Sequence, residues 1–154
     1  MPLDVSPDGQ WILFYRSAHP DPDPHTGGAL WVVRIDGSKP HAVSTGAHPA
    51  DWARWSPDGR EIVFATERLS SDGTIWVAAM DGSGLRRVFV DPAGGFPITP
   101  TWSCDGSQIL FALDPTDDEF KHADNAFQVI GADGSHPEPV KGTTGFSRWP
   151  EWWR

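Results

Sequence analysis

Two loops concentrate the side chains that could hold a metal ion. The first runs His19-Pro20-Asp21-Pro22-Asp23-Pro24-His25, so prolines present imidazole and carboxylate groups in alternation, and His122 lies in a second acidic loop. Imidazole favours zinc, manganese or iron, whereas carboxylates favour calcium or magnesium. The spacing fits neither an EF-hand loop nor a His-Glu-x-x-His helix. We therefore predict a solvated acidic surface with no resident cofactor. The alternative is a divalent metal bound by His19, Asp21, Asp23, His25 and His122.

Two segments, residues 51–55 and 148–152, are predicted to be inner strands. Both contain charged residues and tryptophans, which are unusual in a strand that would otherwise be apolar. Guanidinium groups bind carboxylates through paired donors, and indole rings stack on cations and aromatic rings. The residues that interrupt these segments are therefore our candidate ligand-binding set. They are Asp51, Trp52, Arg54, Arg148, Trp149 and Glu151. The alternative is that their opposite charges pair with one another and hold the strands in register.

Few residues are suited to acid and base catalysis. His48 lies directly before the first of these segments, and imidazole, with an ordinary pKa of about 6.5, moves protons at neutral pH. His48, Arg54 and Arg148 are the candidate catalytic residues. No nucleophile is indicated, because the serines recur in predicted turns and Cys104 has no cationic neighbour that would activate it.

The composition excludes several classes of protein. The chain has 16 Gly, 15 Pro and 9 Trp among 154 residues, which is typical of many tight turns and excludes an all-helical fold. It has 12 Lys and Arg and 21 Asp and Glu, so its net charge is -9. Because this charge repels phosphate groups, neither nucleic acid nor an anionic membrane surface is an expected partner. One cysteine forms no internal disulfide. No signal peptide is recognisable, so a cytoplasmic location is expected, or a periplasmic or secreted one if a leader was removed.

A repeat of about 50 residues organises the chain. A turn of the form Ser-x-Asp-Gly occurs three times, ending at Gly9, Gly59 and Gly106, and an apolar triplet of the form Ile-x-Phe follows each turn. A second apolar run and an Asp-Gly-Ser turn come next, and Asp-Gly between apolar runs is a strong hairpin signal. Each unit therefore predicts about four antiparallel strands. The second turns are Asp36-Gly37-Ser38, Asp81-Gly82-Ser83 and Asp133-Gly134-Ser135.

These motifs resemble the TolB-type, WD-like β-propeller repeat, in which an aromatic residue precedes Ser-Pro-Asp-Gly and an Ile-x-Phe strand follows. Two departures are Cys104 in place of the turn proline and Gln128 where the other units have tryptophan. The resemblance implies an all-β chain of three four-stranded blades at approximately residues 4–45, 50–90 and 97–140. Residues 146–153 match the innermost strand of a further blade, with Trp152 in the register of Trp55 and Trp102.

Three blades are too few to surround an axis, because propellers have roughly four to eight. We therefore predict a two-fold homodimer that forms one six-bladed ring. Residues 146–153 of each chain would supply the inner strand of its partner's first blade by strand exchange. The alternatives are a fragment of a longer chain, or half a ring that a different protein completes.

The predicted long loops all emerge on one face of the ring and carry net charges of -2 (residues 17–29), -1 (67–73) and -4 (114–126). We therefore predict a binding or scaffold module without enzyme activity, which recognises a protein or peptide through this acidic face. Its expected contact residues are Asp21, Asp23, Asp117, Asp118 and Glu119. The alternative is a small dimeric lyase, hydrolase or cyclase that acts on a small acidic or aromatic molecule at the channel mouth.

Overall fold

Three four-stranded antiparallel β-sheets form the chain in the computed structural model, which describes residues 2–17, 28–43, 45, 50–66, 73–115 and 126–143. The prediction of three four-stranded units is confirmed. The strands of each sheet follow one another in chain order, from an innermost to an outermost strand. They are β1 (Pro2–Val5), β2 (Trp11–Ser17), β3 (Gly28–Arg34), β4 (His41–Ala42), β5 (Ala50–Trp55), β6 (Glu61–Thr66), β7 (Thr74–Ala79), β8 (Arg86–Val90), β9 (Phe96–Trp102), β10 (Gln108–Asp114), β11 (Ala126–Gly131) and β12 (Glu138–Pro139).

The Ser-x-Asp-Gly turn joins the first and second strands of every sheet with the same hydrogen bonds. In the first sheet, Ser6 Oγ donates to Asp8 Oδ1 at 2.5 Å and accepts the backbone N–H of Trp11 at 2.9 Å. Asp8 Oδ1 also accepts the N–H of Gln10 at 3.0 Å. The glycine of the motif has a φ of +70°, which only glycine adopts without cost. The motif is therefore a structural turn in each unit.

Two apolar cores lie between neighbouring sheets, one between the first and second and one between the second and third. The first contains Leu13, Leu30 and Val32 of the first sheet packed against Ile62 and Phe64 of the second. The second core joins the second and third sheets in the same way. Each core is closed by a tryptophan of the later sheet's inner strand, since Trp55 and Trp102 are both 6% exposed. These two tryptophans therefore pack between neighbouring sheets.

Polar contacts also join neighbouring sheets near their outer strands. Arg86 on β8 forms an ion pair with Glu61 of its own sheet, at 2.5 Å, and its Nη2 donates to the carbonyl oxygen of Ala132 in the third sheet at 3.4 Å. The turn after β11 approaches β8 so closely that a Cβ on Gly134 would lie 3.0 Å from the carbonyl oxygen of Val88. The second turn of one sheet therefore rests on the outer strand of the sheet before it.

The inner strands share a local irregularity. Pairing with the second strand shifts register between Pro2 and Asp4 in β1, between Asp51 and Arg54 in β5, and at the matching place where β9 meets β10. Such a bulge bends a strand and removes backbone groups from the ladder. The irregularity is therefore part of the repeat.

The chain's own β1 occupies the inner-strand position of the first sheet. It pairs with β2 through Pro2, Asp4 and Val5. Strand exchange was expected to bring residues 146–153 of a second copy to this position, and those residues lie outside the described part of the chain. Exchange therefore requires that β1 give up its place.

The described residues include no helix that is long and apolar enough to cross a membrane.

Candidate binding site

The long loops leave the three sheets at one common edge, which we call the loop edge. In an antiparallel sheet every connection between the second and third strands lies at the same end, opposite the two tight turns. The strand ends Ser17, Thr66 and Asp114 mark this edge. Asp114 is buried there at 2% exposure, so its carboxylate does not belong to the solvated acidic surface expected for its loop.

Most predicted site residues lie outside the described part of the chain. This holds for His48, for Arg148, Trp149 and Glu151, and for all the predicted metal ligands and acidic contact residues. Asp51 is described only as part of strand β5. Among the described residues, no three His, Cys, Asp or Glu side chains come together in a way that could hold a metal ion. Trp52 and Arg54 are therefore the predicted site residues whose side chains can be placed.

Arg54 links the inner strands of the first two sheets. Its Nη1 donates to the carbonyl oxygen of Leu3 at 3.1 Å and to that of Ala53 at 3.0 Å. Both carbonyls lie where strand pairing is irregular, so the guanidinium group satisfies acceptors that the ladder leaves out. In the opposite direction, Asp4 Oδ2 accepts the backbone N–H of Trp55 at 2.9 Å. Arg54 thus clamps two inner strands, and its binding of a ligand carboxylate stays a prediction.

Replacing Arg54 by lysine should lower the free energy of unfolding by about 1 to 2 kcal/mol, because a lysine ammonium does not reproduce this bridge between two carbonyls. Chemical denaturation without ligand measures the change. The matched control is Arg60→Lys, since Arg60 pairs with Asp58 at 3.8 Å on the surface, with its side chain 85% exposed, and such pairs contribute little. Equal stability of the two variants would contradict the clamp and favour a ligand role for Arg54.

Two inner-strand residues adopt a left-handed backbone conformation. Trp52 has a φ of +46° and Thr99 a φ of +52°, and they occupy matching positions three residues before Trp55 and Trp102. Left-handed conformations cost residues other than glycine about 1 to 2 kcal/mol. Their recurrence at one repeat position ties them to the inner-strand bulge. Thr99 thus shares a repeat position with Trp52, which is one of the candidate ligand-binding residues.

The opposite edge, which we call the turn edge, carries aspartates whose carboxylates are already engaged. Hydrogen bonds from Ser103 and from the N–H and hydroxyl of Ser107 lower the pKa of Asp105 to about 2. In the second kind of turn, hydrogen bonding by Ser38 lowers the pKa of Asp36. These carboxylates stabilise their own turns. The acidic loops at the loop edge contain no such repeated turn motif.

One face of the first sheet is more exposed than the equivalent face of the second and third sheets. Ile12, Phe14 and Val33 are only half-buried, whereas the residues at the matching positions of the second and third sheets are at most 1% exposed. Those matching residues are Ile62, Phe64, Ala78, Ile109, Phe111 and Ile130. We call this surface of the first sheet, together with Val5 and Ile35, the leading face.

Val5 and Ile35 give the clearest comparison. Val5 is 49% exposed, although Trp55 and Trp102 at its position pack into the core shared with the preceding sheet. Ile35 is 63% exposed, although Met80 and Ala132 at its position pack against the same two cores. The leading face therefore has the residues of a sheet-to-sheet contact, and no sheet among the described residues packs on it.

The third sheet has the complementary defect. Leu110, Phe127 and Val129 are half-buried, whereas the residues at their positions in the first two sheets are fully buried. Those residues are Leu13, Leu30, Val32, Val63, Ile75 and Val77. We call this surface of the third sheet the trailing face. It matches the surfaces on which a following sheet packs.

Comparison with known proteins gives the same architecture. No family model matches the chain. The uncharacterized peptidase YuxL of Bacillus subtilis is 27% identical over 150 residues, a match that covers 90% of this chain and 22% of YuxL. The Tol-Pal system protein TolB of Anaeromyxobacter dehalogenans is 34% identical over 101 residues, which covers 62% of this chain and 20% of TolB.

A solved structure of a protein provisionally assigned as TolB, from Agrobacterium tumefaciens, superposes with a TM-score of 0.72 at 25% identity. The match covers 90% of this chain and 47% of that protein. The chain thus spans about a fifth of the length of these two curated relatives and about half of the solved structure. With its repeated turns, its sheet order and these likenesses, the chain is a member of the TolB-type β-propeller family.

Proposed function

We propose that this chain is half of a six-bladed propeller and that two copies close the ring. The observation that carries the proposal is the exposure of Val5 and Ile35 at positions that are packed in the other sheets. In a two-fold ring the trailing face of each copy would cover the leading face of the other. Both faces are sheet surfaces of one repeat, so they would meet as successive sheets within the chain do.

We propose a second copy as the occupant of these faces because this chain supplies about half of the solved TolB-type structure, and a second copy would supply the other half. The chain covers 47% of the solved TolB-type structure, so one more set of three sheets would complete a ring of that size. Exposed edges and apolar faces are a liability that sheet proteins normally cover. A two-fold ring would have two contacts between copies, which we call seams. In each seam the trailing face of one copy would cover the leading face of the other, so no apolar face would stay exposed.

We further propose that the ring is a binding module that recognises a basic protein or peptide through its loop edge. The loops that leave this edge carry net charges of -2, -1 and -4, and the last of these falls to -3 when the buried Asp114 is left out. Aspartates at the turn edge are occupied by their own turns, which favours the loop edge for recognition. The curated TolB relative belongs by name to the Tol-Pal system, and we therefore favour the periplasmic location over the cytoplasmic one.

Replacing Asp117, Asp118 and Glu119 by Asn, Asn and Gln should slow the capture of lysine-rich peptides by about tenfold at low salt, because these carboxylates steer a basic partner. Biolayer interferometry on immobilised peptides of graded net charge measures the rate. The effect should shrink at physiological ionic strength, where the Debye length is about 8 Å.

The matched control changes His41 and His136, at the turn edge, to glutamine. Capture should be unaffected by that pair of changes. Capture that survives neutralisation of the acidic loop and is lost with the histidines would move the binding surface to the turn edge.

A further inference from the structure

In the second sheet, two threonines supply a hydrogen-bond acceptor to a tryptophan near the loop edge. Trp76 Nε1 donates to Thr74 Oγ1 at 2.8 Å, and Thr74 Oγ1 lies 2.9 Å from Thr66 Oγ1. The backbone N–H of Thr74 also donates to Thr66 Oγ1, at 3.1 Å. Both threonines are buried, so the half-buried indole is satisfied within its own sheet.

The matching place in the first sheet keeps the tryptophan and lacks both threonines. Trp31 and Trp76 each pair with the phenylalanine of an Ile-x-Phe strand, so they occupy one repeat position. In the same register Ala29 replaces the first threonine and Arg16 replaces the second. An alanine side chain accepts no hydrogen bond, and an arginine side chain only donates. Within the part of the chain that the structure describes, Trp31 Nε1 has no acceptor.

The guanidinium group of Arg16 is stacked on this indole. Its central carbon lies 4.7 Å from the centroid of the Trp31 ring, and the arginine is exposed. Arg16 forms neither an ion pair nor a hydrogen bond with any other described residue. Stacking orients the guanidinium plane and leaves its N–H groups available at the edge of that plane. The two side chains therefore present hydrogen-bond donors and one positive charge, with no acceptor of their own.

We propose that Arg16 and Trp31 form a binding site for a carboxylate group. The two oxygens of a carboxylate match the paired donors of a guanidinium group. Because the guanidinium lies over the ring that carries the indole N–H, one carboxylate can contact both side chains. A singly charged carboxylate fits better than a doubly charged phosphate, since the site has one cation and the chain has a net charge of -9.

The carboxylate can belong to a separate molecule or to a second copy of the chain. Trp31 lies on the same side of its strand as Val33 of the leading face, because side chains two residues apart share a face. The site is therefore at the loop-edge end of that face. It does not depend on ring closure, since both residues belong to one sheet of one chain. Dilution of the protein distinguishes the two sources.

The test follows the indole N–H resonances of isotope-labelled tryptophan by NMR during titration with sodium acetate. Sodium chloride at the same ionic strength is the salt control. The resonance of Trp31, assigned by its loss in Trp31→Phe, should move downfield and saturate, because the carboxylate accepts its N–H. The resonance of Trp76 should stay in place, since its N–H is already donated to Thr74. Acetamide, which has nearly the shape of acetate and no charge, should have little effect.

Arg16→Gln should raise the apparent dissociation constant for acetate at least about tenfold, because the charge-assisted hydrogen bonds are lost. The matched control is Arg34→Gln, which removes a guanidinium that lies 5.5 Å from the centroid of the Trp11 ring and already donates to Gln10 Oε1 at 2.6 Å. That control should leave the acetate titration of Trp31 unchanged.

A double variant rebuilds the arrangement of the second sheet in the first. Arg16→Thr with Ala29→Thr gives Trp31 a hydroxyl acceptor within its own sheet, so its resonance should become insensitive to acetate. A resonance that moves downfield as the protein is concentrated, before acetate is added, would identify the carboxylate as one of a second copy. A Trp31 resonance that responds neither to acetate nor to dilution would overturn the site. So would an equal response to acetamide, or an equal response in Arg16→Gln.

Discussion

Replacing Ile35 by aspartate should convert the protein from a dimer of about twice 16.9 kDa to a monomer of 16.9 kDa. Ile35 is 63% exposed in the single chain, so its own fold does not depend on this side chain. In the proposed ring it packs against the trailing face of the partner, as the partly buried Met80 and Ala132 pack against the cores that they share with the preceding sheets. Loss of a buried isoleucine costs about 1.5 to 3 kcal/mol, and a buried carboxylate adds a desolvation cost.

Both seams carry the substitution in a two-fold ring, so the dissociation constant should rise at least about a hundredfold. Sedimentation velocity at micromolar concentration measures it. The matched control is Val90→Asp, because Val90 is 44% exposed on the outer strand β8, away from both open faces. That variant should stay dimeric. An Ile35→Asp protein that remains a dimer would show that the leading face is not the contact between copies.

The sequence predicts the sheets well because each unit contains a recognisable motif at both of its tight turns. Asp-Gly at the second turn and Ser-x-Asp-Gly at the first require a left-handed glycine, and the continuous apolar runs between them send successive side chains to opposite faces of the sheet, each of which can meet a core. The repeat also predicts the packed tryptophans Trp55 and Trp102. Their indole N–H groups have no hydrogen-bond partner within the described residues, so they act there as apolar bodies.

The sequence does not predict contacts that depend on how neighbouring sheets meet. Arg54 is a charged residue in an apolar strand, and only the geometry of two adjacent bulges brings carbonyls of both strands to its guanidinium group. The left-handed conformation of Thr99 is equally hidden, since threonine disfavours it. The inner strand β1 pairs with β2 and also forms two hydrogen bonds with the second sheet, one through the carbonyl oxygen of Leu3 and one through the carboxylate of Asp4.

The predicted site is less well defined than the fold for a physical reason. The repeat constrains residues that pack or turn, whereas recognition depends on loops that the scaffold merely carries. The acidic residues of those loops have no counterpart from one unit to the next, so comparison within the chain cannot assign their roles.

Acidification from pH 4 to pH 2 should strongly destabilise the chain, because one aspartate in each of six turns must be protonated. Hydrogen bonds from serine hydroxyls and backbone N–H groups lower the pKa of all six below the ordinary 3.8, to about 2 at Asp105. A lowered pKa in the folded state means that the stabilisation is complete above the unfolded value. It is lost as the pH falls through the folded value.

The free energy of unfolding should therefore fall steadily below pH 4, and Asp105→Asn should make that fall shallower while lowering stability at pH 7. Asparagine keeps a carbonyl acceptor for the turn but has no proton to gain, so one of the six titrations disappears. Denaturant unfolding at fixed protein concentration between pH 7 and pH 2 measures both changes. The control is Glu138→Gln, which removes an exposed negative charge on β12 without changing either kind of turn. If Asp105→Asn and Glu138→Gln alter the curve equally, the acid sensitivity arises from overall charge and not from the turns.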